Sequence, residues 1–453
     1  GDVWAQPPVP RDAPPNLTLQ EAIRTAIEKH PALQSSEFAV QGAEARSKQA
    51  EAPYYPQVGG SAIQTNGALR SNAVLRPSGS LISPNQSDVT VGVVASQTLY
   101  DFGQTSSKVD AQRSDKVRFE KEALSRRMEI VLGVERAYFS VLKKKRLVEI
   151  AEQTVRERDV IKRQVEVLYR NQLKSKLDLG LVQVQSTDAE FLVIRARNDL
   201  SAAFAELNNA MGVEGEASYA LDDILVAVEP PRVLGVLVAE ALERRPELLA
   251  LKERIRTADH RIKAAGNLNF PTLQVTGSAG DTEHISDRPH LQEGGWWGVG
   301  ASVSVPIFTG FLIQNQVAEA TARQRETQAV YLVAEQNVRL QVKDSYLEMV
   351  TLLEQVKVAQ QQVLIARESL SLASQRYKLG LSSIVEVTQS EVAVTAAETR
   401  LAETQYNTKI PETLEKIMLR LLARDPKDRY QWAWEVHEDL LDHVARECDL
   451  FGE

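Results

Sequence analysis

The chain has 453 residues, of which 43% are hydrophobic and 25% charged, and its formal net charge is −8 at pH 7. This balance excludes wholesale disorder, and the negative charge argues against nucleic acid as a main partner. The single cysteine, Cys448, excludes internal disulfides and cysteine-rich metal sites. No apolar run approaches the ~18–20 residues that a membrane-spanning helix needs.

The N-terminal half is predicted to begin with an extended, proline-rich leader at residues 1–16. In the first repeat, residues 17–212, a short amphipathic helix at Leu17–Lys29 ends at His30-Pro31, because the residue before a proline is disfavoured in a helix. A longer helix follows it. The other predicted elements are strands at about 58–64 and 89–99, a long helix at about 104–169 and a return helix at about 176–211.

A linker at residues 213–231 is predicted to lead into a second repeat, residues 232–410, in which Arg245-Pro246 answers His30-Pro31. Its predicted elements are strands at about 273–279 and 296–306, a long helix at about 313–377 and a return helix at about 384–410. The long helix carries a heptad seam, typical of coiled coils. Its two positions are Val342, Met349, Val356, Val363, Leu370 and Tyr377, and Ser345, Leu352, Ala359, Ala366 and Ala373.

The predicted sheet and helices need partners beyond one chain. The strand at 89–99 has Val89, Val91 and Val93 on one face and mostly polar residues on the other. An open sheet of four strands exposes two edges, and helices of roughly 100 Å need equally long partners. Symmetric assembly could therefore close a barrel with a water-lining face and a lipid-facing face. Such an assembly is a conduit.

Both halves resemble the outer membrane efflux protein family, the TolC-like outer membrane factors, over about residues 16–410. The resemblance rests on Leu17-Thr18-Leu19-Gln20-Glu21-Ala22 with His30-Pro31, on Pro306-Ile307-Phe308-Thr309-Gly310, and on Arg376-Tyr377-Lys378-Leu379-Gly380 with Ile384-Val385-Glu386-Val387. It implies a mainly α chain with a β-barrel part, internally duplicated, with long antiparallel coiled-coil helices and two β-hairpins. It further implies a homotrimeric channel-tunnel, with a twelve-stranded barrel and a twelve-helix periplasmic tunnel.

The resemblance also implies roles for residues near the turns. Glu386 matches an acidic position that rings the periplasmic aperture, and the family's next acidic position is Gln389 here. Asp178 matches a gating acid whose usual basic partner falls at Ser382. Tyr377 matches a position that stabilises the closed tip, and Tyr169 lies 208 residues before it. The lysines that could replace the missing partner are Lys174, Lys176 and Lys378.

The turns after the two long helices are implied to bind a periplasmic adaptor (membrane fusion) protein. These turn residues are Asn171, Gln172, Leu173, Ser175, Gly380, Leu381 and Ser383. The residues by themselves leave other interpretations open. Glu386 and Asp178 also fit first-turn acids stabilised by the helix dipole, and Tyr169 and Tyr377 also fit seam packing.

The second hairpin contains two candidate sites. Trp296 and Trp297 predict an aromatic belt at the membrane interface, with barrel packing of one of them as the alternative. A metal site formed by loop residues is less favoured than a solvated loop, so we expect no metal and no cofactor. The loop residues concerned are Glu283, His284, Asp287 and His290.

The tail, residues 411–453, departs from the repeat at Pro411. Residues 410–444 resemble the C-terminal end of a bacterial serine/threonine protein kinase domain, through Asp425-Pro426 and Arg429. No nucleotide-binding or catalytic motif of kinases accompanies them. We expect two short helices there and no phosphoryl transfer, and a purely local amphipathic helix pair is the alternative interpretation.

The sequence therefore predicts a non-enzymatic exit duct in the bacterial outer membrane, with its helical part in the periplasm. The implied partners are outer-membrane lipid, an adaptor and an inner-membrane pump, in a tripartite efflux or type I secretion system. The alternative is a soluble periplasmic coiled-coil scaffold or adaptor. The strand pairs favour the duct, because a scaffold does not need Val-faced segments of barrel length.

Overall fold

A computed structural model describes residues 16–68, 74–75, 81–82, 85–215, 217–223, 233–284 and 294–421. Its helices are α1 (Leu19–Lys29), α2 (Pro31–Ala50), α3 (Gln104–Arg170), α4 (Lys176–Met211), α5 (Leu234–Arg244), α6 (Pro246–Gly266), α7 (Leu312–Lys378) and α8 (Ile384–Leu421). Its strands are β1 (Asn16–Leu17), β2 (Gln57–Ala68), β3 (Val74–Leu75), β4 (Leu81–Ile82), β5 (Asn85–Tyr100), β6 (Ala220–Leu221), β7 (Thr272–His284) and β8 (Gly294–Ser304). Within the described ranges, every helix is too short or too polar to cross a membrane.

The chain divides into two units. The first comprises Gly1–Glu37, Ala123–Pro246 and Glu335–Glu453, and the second comprises Phe38–Glu122 and Glu247–Ala334. The helices α3 and α7, of 67 residues each, contribute to both.

The second unit contains an antiparallel four-stranded sheet in the order β2-β5-β7-β8. Both predicted hairpins are present, and β5 and β7 pair to join them. The last strand runs over residues 294–304, not 296–306. Its end at Ser304 is explained by Pro306, because proline has no amide hydrogen for the sheet ladder.

The two faces of this sheet differ in polarity. Alternation along paired strands places mostly apolar side chains on one face, and these include Val91, Val93, Ala279, Val299 and Val303, although Asp281 and Glu283 share that face. The other face carries mostly small polar side chains, which include Ser61, Thr90, Thr276, Ser278, Thr282 and Ser302, together with Ile63, Val94 and Trp296. Thr90 and Thr282 are cross-strand neighbours with their hydroxyl oxygens 3.3 Å apart.

The first unit begins differently from the prediction of a helix at 17–29. Residues of β1 pair in parallel with β6, and α1 starts at Leu19. Thr18 caps that helix, because its hydroxyl accepts from the Glu21 amide while the Glu21 carboxylate accepts from the Thr18 amide. A core between α1, α3 and α4 includes Tyr138, whose hydroxyl donates to the carbonyl oxygens of Leu17 (3.1 Å) and Asp222 (3.0 Å).

In the first unit, α3 packs against both α4 and α8, and α8 also packs against α7. Side-chain contacts join these pairs of helices: Lys144 with Asp199, Glu152 with Arg197, Thr154 with Thr395, Lys143 with Asn407, and Arg367 with Glu398. Helix α4 also packs directly against α8, and near the tip all four helices contribute to one cluster, with Val165, Val182, Tyr377 and Ile384.

The last described helix, α8, runs to Leu421 and so passes through Pro411. The predicted end at residue 410 is wrong, since a proline removes one helical hydrogen bond and can kink a helix without ending it. The predicted tail helices fall mainly on residues 422–453, outside the described residues.

Candidate functional site

The turns after α3 and α7 have the same backbone geometry. Gln172 and Gly380 have φ values of +59° and +74°, and each follows its helix in a Schellman motif. The hydrogen bonds of the two motifs run from Leu173 N to Leu168 O (2.9 Å), Gln172 N to Tyr169 O (2.9 Å), Leu381 N to Arg376 O (2.8 Å) and Gly380 N to Tyr377 O (3.0 Å). The two turns, 208 residues apart, are therefore built alike.

Asp178 serves the local structure of its own turn. Its carboxylate accepts hydrogen bonds from the Ser175 amide (3.0 Å) and the Ser175 hydroxyl (2.9 Å) in a capping box. In the described part of the chain, no lysine forms an ion pair with it within 4.0 Å. The Ser382 hydroxyl instead donates to the Ala373 carbonyl oxygen at 3.4 Å. Within one chain, the contacts of Asp178 are therefore those of a first-turn acid that caps α4.

Tyr377 is the packed residue of the tip. It is 7% exposed within a cluster that includes Val165, Val182, Ile384 and Val387. The Lys174 ammonium nitrogen lies 4.3 Å from the centroid of its ring, within cation–π range. Burial and, to a smaller extent, nearby Asp178 raise the pKa of the Tyr377 hydroxyl. Among the described residues this hydroxyl has no hydrogen-bond partner.

Tyr169, its counterpart, is 36% exposed. The two tyrosines are therefore not equivalent, and only Tyr377 packs in the seam.

Glu386 projects away from the packed face of α8. Its neighbours Ile384 and Val387 are buried, whereas Glu386 and Gln389 are exposed. The Glu386 amide donates to the Ser383 carbonyl oxygen at 3.2 Å, so the residue lies in the first turn of α8. Its carboxylate is free to face water or another copy of the chain.

An apolar surface surrounds both turns. It consists of four leucines, each at least 67% exposed, which we call the tip leucines: Leu173, Leu177, Leu379 and Leu381. Two of them, Leu177 and Leu379, were not predicted. The signal for them was present in the sequence, because each is an apolar residue outside the heptad seam.

Trp296 and Trp297 lie on opposite faces of the sheet, since they are consecutive in β8. They cannot both face lipid, so the interface prediction is kept for Trp297 only. Of the loop residues considered for a metal, Glu283 is exposed in β7, and Asp287 and His290 lie outside the described residues. No cluster suited to a metal ion occurs within the described ranges.

The family model for the outer membrane efflux protein matches residues 22–213 and 237–416. These two segments nearly coincide with the predicted repeats. The chain belongs to the outer membrane efflux protein family. It is thus a passive efflux channel of the outer membrane and not an enzyme, which sets aside the soluble scaffold.

Relatives and solved structures agree with this family. The chain is 23% identical to outer membrane protein TolC of Escherichia coli K12, covering 86% of this chain and 79% of TolC. It is 25% identical to outer membrane protein OprJ of Pseudomonas aeruginosa, covering 81% and 76%. The fold resembles that of CusC with a TM-score of 0.77 at 21% identity, over 88% of this chain and 91% of CusC. Chains of this fold are known from several outer-membrane channels.

The resemblance of residues 410–444 to a kinase gains no support from these comparisons. The efflux family model extends to residue 416, into the segment with the kinase resemblance. Asp425-Pro426 and Arg429, which carried that resemblance, lie outside the described residues.

Proposed function

We propose that three copies of this chain form the exit duct of a tripartite efflux pump or type I secretion system. Each copy supplies four strands to a sheet and four long helices, so three copies supply twelve of each. The twelve strands form an outer-membrane barrel and the twelve helices a periplasmic tunnel. The observation that carries the proposal is the pair of exposed apolar stripes on α4 and α7.

The stripe on α7 recurs every seven residues and faces away from the seam with α8. Its members on the helix, each more than half exposed, are Val358, Ile365 and Leu372, and Leu379, just after the end of α7, continues the spacing. The stripe on α4 has the same spacing and exposure, and its members are Leu177, Val184 and Phe191. Seven-residue spacing is the signature of coiled-coil packing, and large exposed apolar surfaces mark interfaces. The partner we propose is the α4 stripe of one copy against the α7 stripe of the next.

The sheet supports the same assembly. Its outer strands, β2 and β8, each pair on one side only among the described strands. A long free edge is prone to pair with another chain, and ring closure removes it. In the barrel the face with Val93 and Val299 meets lipid, and the face with Thr90 and Ser278 lines water.

Glu386 is the residue that we propose for the aperture. Three exposed Glu386 carboxylates around a threefold axis attract cations and repel anions. Glu386→Gln is therefore expected to lower the cation preference of the channel. Gln389→Glu, which adds a second acidic ring one turn along α8, is expected to raise it. Both are measured as reversal potentials under a salt gradient, and an unchanged potential in both variants would remove Glu386 from the aperture.

Leu173 and Leu381, the two tip leucines outside the α4 and α7 stripes, are the surface that we propose for the adaptor. Together with the Gln172 and Gly380 turns they form an apolar surface, which suits a protein partner. Leu381→Asp is expected to abolish binding of the purified adaptor while leaving the conductance of the isolated channel intact. Val160→Asp, an exposed apolar position before the turn on α3, is the control and is expected to bind normally.

A further inference from the structure

The side chain of Trp296 lies on the polar face of the sheet. Its paired residue on β7 is Gly280, and residues of the same face include Thr90 and Ser278. Trp297 lies on the apolar face with Val299. The two are 38% and 82% exposed, so the Trp296 indole is partly covered while the Trp297 indole is not.

Glycines of two neighbouring strands cover one side of the Trp296 indole. A Cβ atom added at Gly280 would lie 2.6 Å from Trp296 Cζ2, and one added at Gly92 would lie 3.3 Å from the same atom. The side chain therefore reaches from β8 across β7 to β5, flat against the backbone. Any larger residue at position 280 would collide with it, so the sheet is shaped to hold an aromatic ring here.

The uncovered side of the indole opens on the polar face. Among the described side chains of that face, the residues near Trp296 are uncharged, and they include Ser61, Thr90, Ser278 and Thr282. An indole is a large electron-rich surface that stacks on planar rings and attracts cations. A packed ring whose other side is free has the geometry of a stacking surface.

We propose that Trp296 is a binding site for planar aromatic cations that pass through the duct. This inference rests on the proposed function, since that function makes the polar face line the water-filled passage. Each copy contributes one indole at the same height, so a trimer has three. Binding of this kind is weak enough for release, which a passage requires.

The test is ethidium binding to the purified full-length protein in detergent micelles, measured by fluorescence anisotropy with protein-free micelles as the blank. Trp296→Leu fills the space over the glycines without an aromatic surface, and Trp296→Phe keeps an aromatic ring. Trp297→Leu is the matched control on the opposite face. We expect Trp296→Leu to weaken binding roughly three- to tenfold, whereas Trp296→Phe and Trp297→Leu stay close to the unsubstituted protein.

Three results would overturn the proposal: no ethidium binding by the unsubstituted protein, equal binding by Trp296→Leu, or an equal loss with Trp297→Leu. Ethidium binding in micelles needs no conducting pore, so failure of the duct itself is seen separately, as an absence of conductance.

Reconstitution with brominated phosphatidylcholine checks which of the two tryptophans faces lipid. Tryptophan quenching by this lipid is expected to decrease in Trp297→Leu and not in Trp296→Leu, and the reverse would contradict the assignment.

Discussion

Glu135 on α3 is completely buried, and in the described part of the chain neither of its carboxylate oxygens has a hydrogen-bond partner. Burial raises its pKa from the usual 4.5 to about 8. Because the pKa in the folded state is the higher one, the folded protein binds the proton more tightly. The stability that this proton contributes is fully present below pH 4.5 and is lost as the pH rises through 8.

We therefore predict that the unsubstituted protein loses stability between pH 5 and pH 8, by up to roughly 4 kcal/mol from this group. Glu135→Gln removes the ionisable group and should flatten that part of the profile. Thermal denaturation in detergent at both pH values measures it. Equal slopes in the two proteins would show that Glu135 does not ionise across this range.

Tyr377 gives a second prediction at the residue scale, because its ring is packed and its hydroxyl has no partner among the described residues. Tyr377→Phe should leave the packing of the tip intact and change stability by less than ~1 kcal/mol. Tyr377→Ala should cost about 3–5 kcal/mol through the cavity it leaves, and should raise single-channel conductance by loosening the tip. If the Phe variant conducted as the Ala variant does, the hydroxyl and not the ring would hold the tip.

At the scale of elements, the two Schellman turns are matched except at the residue with positive φ. At positive φ a side chain costs about 1–2 kcal/mol, so this conformation is strained at Gln172 and unstrained at Gly380. Gln172→Gly should therefore stabilise its turn and Gly380→Ala should destabilise the other, each by about 1 kcal/mol. Amide hydrogen exchange in the two turns measures this, and shifts of the same sign in both would contradict the account.

The helices were largely predictable from the sequence because their packing repeats locally. The heptad seam from Leu352 to Tyr377 is buried or half-buried, although Ser345 is exposed. The start of α1 was not predicted, because Leu17 pairs with a strand some 200 residues away. The capping-box pattern Thr18-x-x-Glu21 is nevertheless present in the sequence, and it marks the observed start of α1 at Leu19.

The site was predictable only in part, for reasons that differ between residues. Tyr169 and Tyr377 occupy matching places in the predicted repeats. How far each side chain is buried depends on its contacts with neighbouring helices, and the repeat pattern does not determine those contacts. For Trp296 and Trp297 the strand period of two already placed them on opposite faces. The exposed stripes of α4 and α7 become visible only once the packed faces of the four helices are known.

For the whole molecule, the α7 stripe makes the oligomeric state testable. Ile365→Lys places a charge in the proposed interface, where an unpaired charge costs several kcal/mol. We predict that native mass spectrometry then shows single chains of 50.3 kDa instead of trimers. Gln360→Lys is the control, since Gln360 is exposed roughly 140° around the helix from Ile365. Dissociation of both variants would indicate general instability and not a specific interface.

If copies of this chain enclose a water-filled passage, the unsubstituted protein must conduct ions. In single-channel recordings from a planar bilayer we expect discrete, long-lived conductance steps with a cation-selective reversal potential. A silent bilayer, recorded with protein that is folded and trimeric by native mass spectrometry, would contradict it.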